Sequence, residues 1–487
     1  MSYLLAAPET LASTAAEVGS IGSAITAAGS NASGPTTGLV AAAQDEVSAA
    51  IANLFGVYGR QYQAALSRAA TFQDQFAQAL AAAGSAYAEI EGANAGLLGG
   101  AGGGAGGLSV LASPAQSASG DPLYALIMGG TFNPKPDPVY VNSIYSTYIK
   151  PNPLYSSAIP QGLFTPEQFW PVTPQLGNLT FNQSVAQGVA LLNTKLSSLL
   201  TNQPLNSALV FGYSQSATIA TNEITALMAA GSPYQGQLSF MMIGDPNNPV
   251  GGLLERFPGF YIPGLDVTFN GATPPNSPYP TSIYTLQYDG IADAPQYPLN
   301  IVSDVNAVMG YFFLHSTYPS LTPMQIANAV PLPTSPGYTG QTHYYMLTTQ
   351  NLPLLQPIRD IPYAGPPIAD ILQPDLRVIV DQGYAGFGPG GNYANIPTPA
   401  GLLAIPNPFT IVPDLLLGTV LGPYGAAVEI GVESGLASTS MFPTIYPWVP
   451  SIDPQLNVFL GQSSTTGLSV LSGALGSALH NTPPIAT

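Results

Sequence analysis

Residues 212–216 read Gly-Tyr-Ser-Gln-Ser, directly after the apolar run Leu205–Phe211 and before Ala217–Met228, which has helical spacing. Strand, tight turn and helix in that order put Ser214 at the turn. A small residue two positions earlier, Gly212, lets the backbone bend sharply enough to present the hydroxyl above a sheet, as in a nucleophile elbow. Ser216 stands where the commoner pattern has glycine. A serine hydroxyl is a weak nucleophile at neutral pH. It needs an imidazole to take its proton and a carboxylate to orient that imidazole.

In sheet-based serine enzymes these partners follow in the order serine, acid, histidine. Asp289, in Leu286-Gln-Tyr-Asp-Gly-Ile-Ala-Asp293, falls where a strand should end, at the rim that holds ligands in open α/β sheets. Asp293 is four residues further on, and Asp245, in Gly244-Asp-Pro246, is a third candidate. Aspartate beside glycine or proline also caps turns, so each has a structural role open to it. His315 closes the apolar segment Gly310–Leu314 and is the first histidine after these acids, which makes it the expected base. His343, at a strand start, is the alternate, and His480 lies in a terminal tail. The developing oxyanion needs two amides: that of Gln215, following the nucleophile, and one from the loop after an early strand. Gly129-Gly130 after Leu123–Met128 makes Thr131 the expected second donor.

These residues need a scaffold, and the texture of the chain supplies one. Segments 123–128, 205–211, 237–243 and 282–288 read as strands, and 183–200 and 217–230 as helices. That alternation predicts an α/β domain, a mostly parallel sheet with helices on both faces. After Leu376 the alternation fades except at Arg377-Val-Ile-Val380, and apolar helical stretches follow that would serve as lid segments. The expected domain runs over 121–440, with a C-terminal tail at 441–487.

The first 95 residues are Ala- and Gln-rich, with Pro8 and Pro35 alone breaking the run. Leu11, Ala15, Val18, Ile21 and Ile25 keep helical spacing after Pro8-Glu9, which suits a first turn. Gly29–Thr37 reads as a break, and the apolar stripe from Val47 to Tyr87 as a second, long helix. The expectation is an all-α helical hairpin whose stripes ask for further helices from a partner. Residues 96–120, rich in glycine, serine and alanine, read as a flexible connector.

Composition narrows the functions. Only 8 basic residues face 25 acidic ones, a formal net charge of −17, so no basic groove competes for nucleic acid. Cysteine is absent, which removes disulfides and thiolate catalysis; three histidines leave too few ligands for a zinc site, and no metal or other cofactor is expected. The start, Met1–Glu9, lacks the basic and apolar regions of a Sec signal peptide. No stretch reaches an uninterrupted apolar span of about 20 residues, so no transmembrane helix is expected.

The N-terminal part resembles the mycobacterial PE family, through Pro8-Glu9, the Ala-rich hairpin, and Tyr87-x-x-x-Glu91 in place of that family's Tyr-x-x-x-Asp/Glu export signal. Residues from about 120 to 380 resemble the PE-PPE domain, a serine α/β-hydrolase module similar to cutinases. The matching stretches are Ala125–Thr131, Thr165-Pro-Glu-Gln-Phe-Trp-Pro-Val-Thr173, Gly212–Ala217, Tyr288–Asp293 and Asn351–Pro357. The resemblance implies Ser214 as nucleophile and aligns Asp289-Gly-Ile with the segment carrying the cutinase acid. It departs from cutinases in lacking their disulfides and in the serine at 216. It further implies an exported esterase or lipase acting on acyl esters. Acyl transfer to trehalose or another glycolipid, or an inert surface protein, are the alternatives. A PPE-family helical partner, a type VII secretion system and residence at the cell envelope are implied as well.

Overall fold

A computed structural model describes residues 122–480, together with scattered positions between 16 and 63. The chain divides into two compact units, Met1–Ser117 and Ala118–Thr487. In the first, the described positions from Ala16 to Pro35, and Thr37, are helical, and so are Ala52, Gly56, Arg60 and Gln63. The break expected over Gly29–Thr37 is therefore not where the sequence placed it. Helix runs through Gly34-Pro35, with the Thr37 hydroxyl donating to the Ser33 carbonyl, and the first non-helical described residue is Gly38. Tyr87, Glu91 and the connector at 96–120 lie outside the described residues, as does most of the expected second helix.

The second unit is built on a seven-stranded sheet. Its strands are β1 (Leu123–Ile127), β2 (Ile159–Gly162), β3 (Ser207–Tyr213), β4 (Leu238–Ile243), β7 (Thr281–Leu286), β8 (Val330–Pro331) and β9 (Thr342–Leu347), in the order β2-β1-β3-β4-β7-β9-β8. A separate two-stranded ribbon joins β5 (Tyr261–Ile262) to β6 (Val267–Thr268). All neighbours in the large sheet run parallel except β8, which pairs antiparallel with β9 at the edge. The two edge strands carry Pro160 and Pro331, as expected where a missing amide faces no partner.

Strands buried on both faces carry apolar residues at consecutive positions, and alternate ones serve opposite cores. Leu126, Met128, Val210, Phe240 and Met242 join one cluster with Leu192, Leu196, Ile219 and Ile224, from helices α2 (Phe181–Leu200) and α3 (Gln215–Ala229). Ala125, Ile127, Leu209, Phe211, Met241 and Ile243 join the other, with Val141 and Ile144 of α1 (Pro138–Ile144) and with Tyr318. A register slip of one residue would exchange the two sets, which fixes the pairing. Helix α2 opens on a capping box, Thr180 with Gln183.

The chain leaves β1 outward to β2, then returns to place β3 on the other side of β1. The direction of winding thus reverses between β1 and β3, and the loops at their C-terminal ends, Gly129–Thr131 and Ser214, flank the crevice where such sheets bind ligands.

Three sequence expectations are corrected in the C-terminal third. Arg377–Val380 is the last turn of helix α5 (Gly365–Asp381), not a continuation of the strand alternation, because one face of that helix is buried. Helix α6 (Pro408–Glu433) runs unbroken for 26 residues despite Pro413, Asp414 and Pro423, with a mean hydropathy of 1.5 in its most apolar window. It is, among the described residues, the one helix long and apolar enough to cross a membrane by length and composition. Phe409, Val412, Leu416 and Val420 on it are exposed. His480, read as part of a tail, ends helix α7 (Gly467–His480) and stacks on Tyr261 with ring centroids 3.8 Å apart.

Candidate active site

Ser214 follows β3 directly, at a positive φ of 56° and ψ of −118° that side chains other than glycine seldom adopt. The strain is held from both sides. A Cβ on Gly212 would lie 2.7 Å from the Ser216 carbonyl oxygen, so only glycine lets the chain close this turn. Ser216 Oγ accepts from the Tyr213 amide at 2.8 Å and donates to its carbonyl at 3.2 Å. The hydroxyl at 216 thus pins the elbow that a glycine elsewhere leaves to the backbone. Ser214 is the N-cap of α3, yet its side chain makes no capping bond. Its hydroxyl is free for other work.

That hydroxyl lies 2.8 Å from His315 Nε2. His315 begins the short helical turn His315–Ser320 that follows helix α4 (Ile301–Phe313), and it is only 6% exposed. Tyr213 donates its phenol to the His315 carbonyl at 2.6 Å, and the imidazole lies between the Tyr213 and Tyr311 rings, at 5.5 and 5.9 Å. On the other side of the ring, Nδ1 is 2.8 Å from Asp289 Oδ2 and 3.0 Å from Oδ1. A carboxylate accepts only, so Nδ1 carries the proton and Nε2 is left to accept from Ser214.

Asp289 is fully buried just past the end of β7. Its Oδ1 accepts from the Ile291 amide at 3.0 Å, and its Oδ2 from the Tyr318 hydroxyl at 2.9 Å. Tyr318 in turn accepts from the Leu286 amide at 2.8 Å, which ties the acid to the last residue of the strand. Neither Tyr318 nor Tyr213 was among the candidates read from the sequence. The spacing of Tyr318 three residues beyond His315, one turn of helix, is the signal that would have found it.

The other candidates fall elsewhere. Asp293 Oδ2 accepts from the Tyr288 amide at 2.7 Å, holding Tyr288 at φ 70°. Burial raises its carboxyl to about 7, with Tyr288 and Arg256 pulling it down and Asp289 adding to the rise. Asp245 is a turn residue, bonded to the Asn247 amide at 2.9 Å and the Thr273 hydroxyl at 2.8 Å. His343 is exposed near the N-terminal end of β9, whereas Ser214 follows the C-terminal end of the parallel strand β3. The structure brings together Ser214, His315 and Asp289, and does not bring Asp293 or His343 to the hydroxyl.

Gln215 is the first residue of α3, and its amide points out of the helix start with the favourable end of the dipole. The loop after β1 lies against the elbow: a Cβ on Gly130 would sit 2.9 Å from the Tyr213 ring and 3.2 Å from its carbonyl oxygen. Thr131 follows directly, so both expected amides border the turn that carries Ser214.

Comparison with known proteins places the chain. The PE family matches residues 4–94 and the PE-PPE domain residues 156–385. PE family protein PE3 of Mycobacterium tuberculosis is 54% identical over 489 residues, covering all of both chains. The chain belongs to the PE family. Esterase PE16 of the same organism is 44% identical over 429 residues, 88% of this chain and 77% of its own. The SL1278 acyltransferase Chp1 is 31% identical over 268 residues, 53% of this chain and 63% of its own. As a PE family member with a C-terminal PE-PPE domain, the chain carries the hydrogen-bonded serine, histidine and aspartate within the matched segment.

Proposed function

We propose that this PE family protein is a serine esterase or lipase that hydrolyses acyl esters through an acyl-serine intermediate. The observation that carries the reading is the continuous bond series Ser214 Oγ, His315 Nε2, His315 Nδ1, Asp289, set at the sheet's switch point. His315 takes the Ser214 proton as Oγ attacks the ester carbonyl, and Asp289 holds the imidazolium that forms. The Thr131 and Gln215 amides receive the negative oxygen. His315 then gives the proton to the leaving alcohol, and water, activated by the same imidazole, releases the acid. The similarity to a protein named an esterase supports the same reading.

Acyl transfer is the second reading, favoured by the likeness to an acyltransferase over about half of the chain. It uses the same groups and differs in whether an alcohol or water resolves the acyl-enzyme. Product analysis with a fatty acyl donor and added trehalose separates them: free acid alone supports hydrolysis, and acylated sugar supports transfer. Ser214→Ala should abolish turnover of either kind and labelling by a fluorophosphonate probe, while circular dichroism stays unchanged. Retained turnover in that variant sinks both readings, whereas a wild-type chain that neither turns over ester nor takes the probe at Ser214 leaves the inert surface protein. The N-terminal part, on this proposal, pairs with a PPE-family helical partner, and the chain leaves the cell by a type VII system to act at the envelope.

A further inference from the structure

The segment Thr165-Pro-Glu-Gln168 has no part in the bond series above, yet it touches both loops that carry the oxyanion amides. The Phe132 amide, next to Thr131, donates to the Glu167 carbonyl at 3.3 Å, and the Thr165 amide donates to the Pro134 carbonyl at 3.2 Å. One residue further on, the Gln168 carbonyl accepts from Gln215 Nε2 at 2.9 Å. The Gln168 amide and the Gln215 side-chain oxygen meet the same hydroxyl, Ser184 Oγ, at 3.0 and 3.4 Å. Four residues therefore span the gap between Thr131 and Gln215.

Glu167 sets the shape of this span. It is fully buried and left-handed at φ 49°, facing Phe132 at φ 76°, and neither is a glycine. Two facing left-handed non-glycine residues are strained and persist only where their surroundings hold them. Glu167 is held at its carbonyl by the Phe132 amide and at its side chain by the Thr165 hydroxyl, which donates to Oε1 at 2.6 Å. Its Oε2 has no hydrogen-bond partner. A glutamate in this position is an expensive choice for mere packing, since an apolar side chain would cost nothing to bury.

We propose that Glu167 is a positioning residue which, through Thr165 and the Glu167 and Gln168 carbonyls, sets the separation of the Thr131 and Gln215 amides for the oxyanion. The proposal rests on the ester-hydrolase reading of Ser214. Burial raises the Glu167 carboxyl to about 8, against the pull of the Thr165 hydroxyl, so the side chain is neutral at pH 7. The titratable group facing it is Tyr140 of α1, which burial holds as the neutral phenol. Ionisation puts an unpaired charge in the span, so its geometry is intact well below pH 8 and is lost as pH rises through that value.

The test compares the full-length protein with Glu167→Gln, Glu167→Leu, Thr165→Val and Gln215→Met, the last keeping its backbone amide. For each, kcat and KM are measured on p-nitrophenyl butyrate, alongside the affinity of a trifluoromethyl ketone of matching chain length, which forms the tetrahedral oxyanion. Glu167→Leu and Gln215→Met should lose roughly 10–100-fold in kcat, less than the 10²–10³ for removing a donor outright, with KM little changed and ketone affinity falling in parallel. Glu167→Gln should keep the neutral-pH rate and lack the decline expected of the wild type as pH rises through about 8. Should Glu167→Leu fail to fold, Thr165→Val and Gln215→Met carry the comparison. The proposal is overturned if kcat falls while ketone affinity does not, if Glu167→Gln is as impaired as Glu167→Leu, or if all four match the wild type. Failure of the hydrolase reading is seen separately, as turnover that survives Ser214→Ala.

Discussion

Replacing Tyr318 with phenylalanine removes one oxygen and leaves the ring that packs in the core beneath the sheet. No cavity opens, so the whole effect comes from two hydrogen bonds. The first is the bond from the hydroxyl to Asp289 Oδ2 at 2.9 Å, and the second is the bond it accepts from the Leu286 amide at 2.8 Å. Asp289 keeps Ile291 and His315 as donors, so on that side the loss is a charge-assisted bond worth about 1.5–3 kcal/mol in isolation, partly recovered by the remaining partners. The Leu286 amide, buried at the strand end, is left unsatisfied at a cost of about 1–3 kcal/mol. Together these give an expected loss of about 2–4 kcal/mol in stability, read as a lower urea midpoint with an unchanged slope. If about 1.5 kcal/mol of the lost restraint reaches the transition state through a looser imidazole, kcat falls about tenfold, with KM little changed. The assay is p-nitrophenyl ester turnover beside urea unfolding followed by tyrosine fluorescence. An unchanged midpoint together with kcat within about twofold of wild type would refute the claim that Tyr318 restrains the acid.

Asp289→Asn and His315→Ala should each lower turnover by about a thousandfold or more, whereas His343→Ala should leave it unchanged and Asp293→Asn should act mainly on stability; a crippled His343 variant with an intact fold would reverse the assignment. A chain beginning near Ser117 should remain an active esterase, because the hydrogen-bonded series lies wholly within the second unit; a folded but inactive truncation would argue against that independence.

How far the sequence reveals this site depends on how local each signal is. The elbow at Ser214 was legible because strand periodicity, a small residue and helix periodicity sit within a few residues of one another. Choosing Asp289 over Asp293 was harder, since both follow the same strand; the left-handed Tyr288 and the bond from its amide to Asp293 decide which carboxylate faces His315. Glu167 was invisible as a site residue, and Tyr318 carried only the weak signal of lying three residues beyond His315, because their partners lie across contacts that only packing creates: Tyr318 reaches Asp289 29 residues back. The edge strands β2 and β8 were missed because they are short and each carries a proline. The length of helix α6 was missed, although apolar helical stretches were expected there, because Asp414 and two prolines interrupt the apolar run on paper but not the helix.

The acid and the base travel as one body. Both lie within residues 281–320, joined by their own hydrogen bond and, through Tyr318, to the strand end at Leu286, whereas Ser214 rides between β3 and α3. A small slide between these two blocks would leave the aspartate and histidine matched while changing only the gap from Nε2 to Oγ. The Tyr213 phenol reaches from the serine's strand to the His315 carbonyl at 2.6 Å, a strut between the two blocks. On the proposed reading the arrangement resembles a clutch: the aspartate and histidine stay matched to each other whatever their distance from the serine, and the Tyr213 bond joins the two blocks outside the reacting groups.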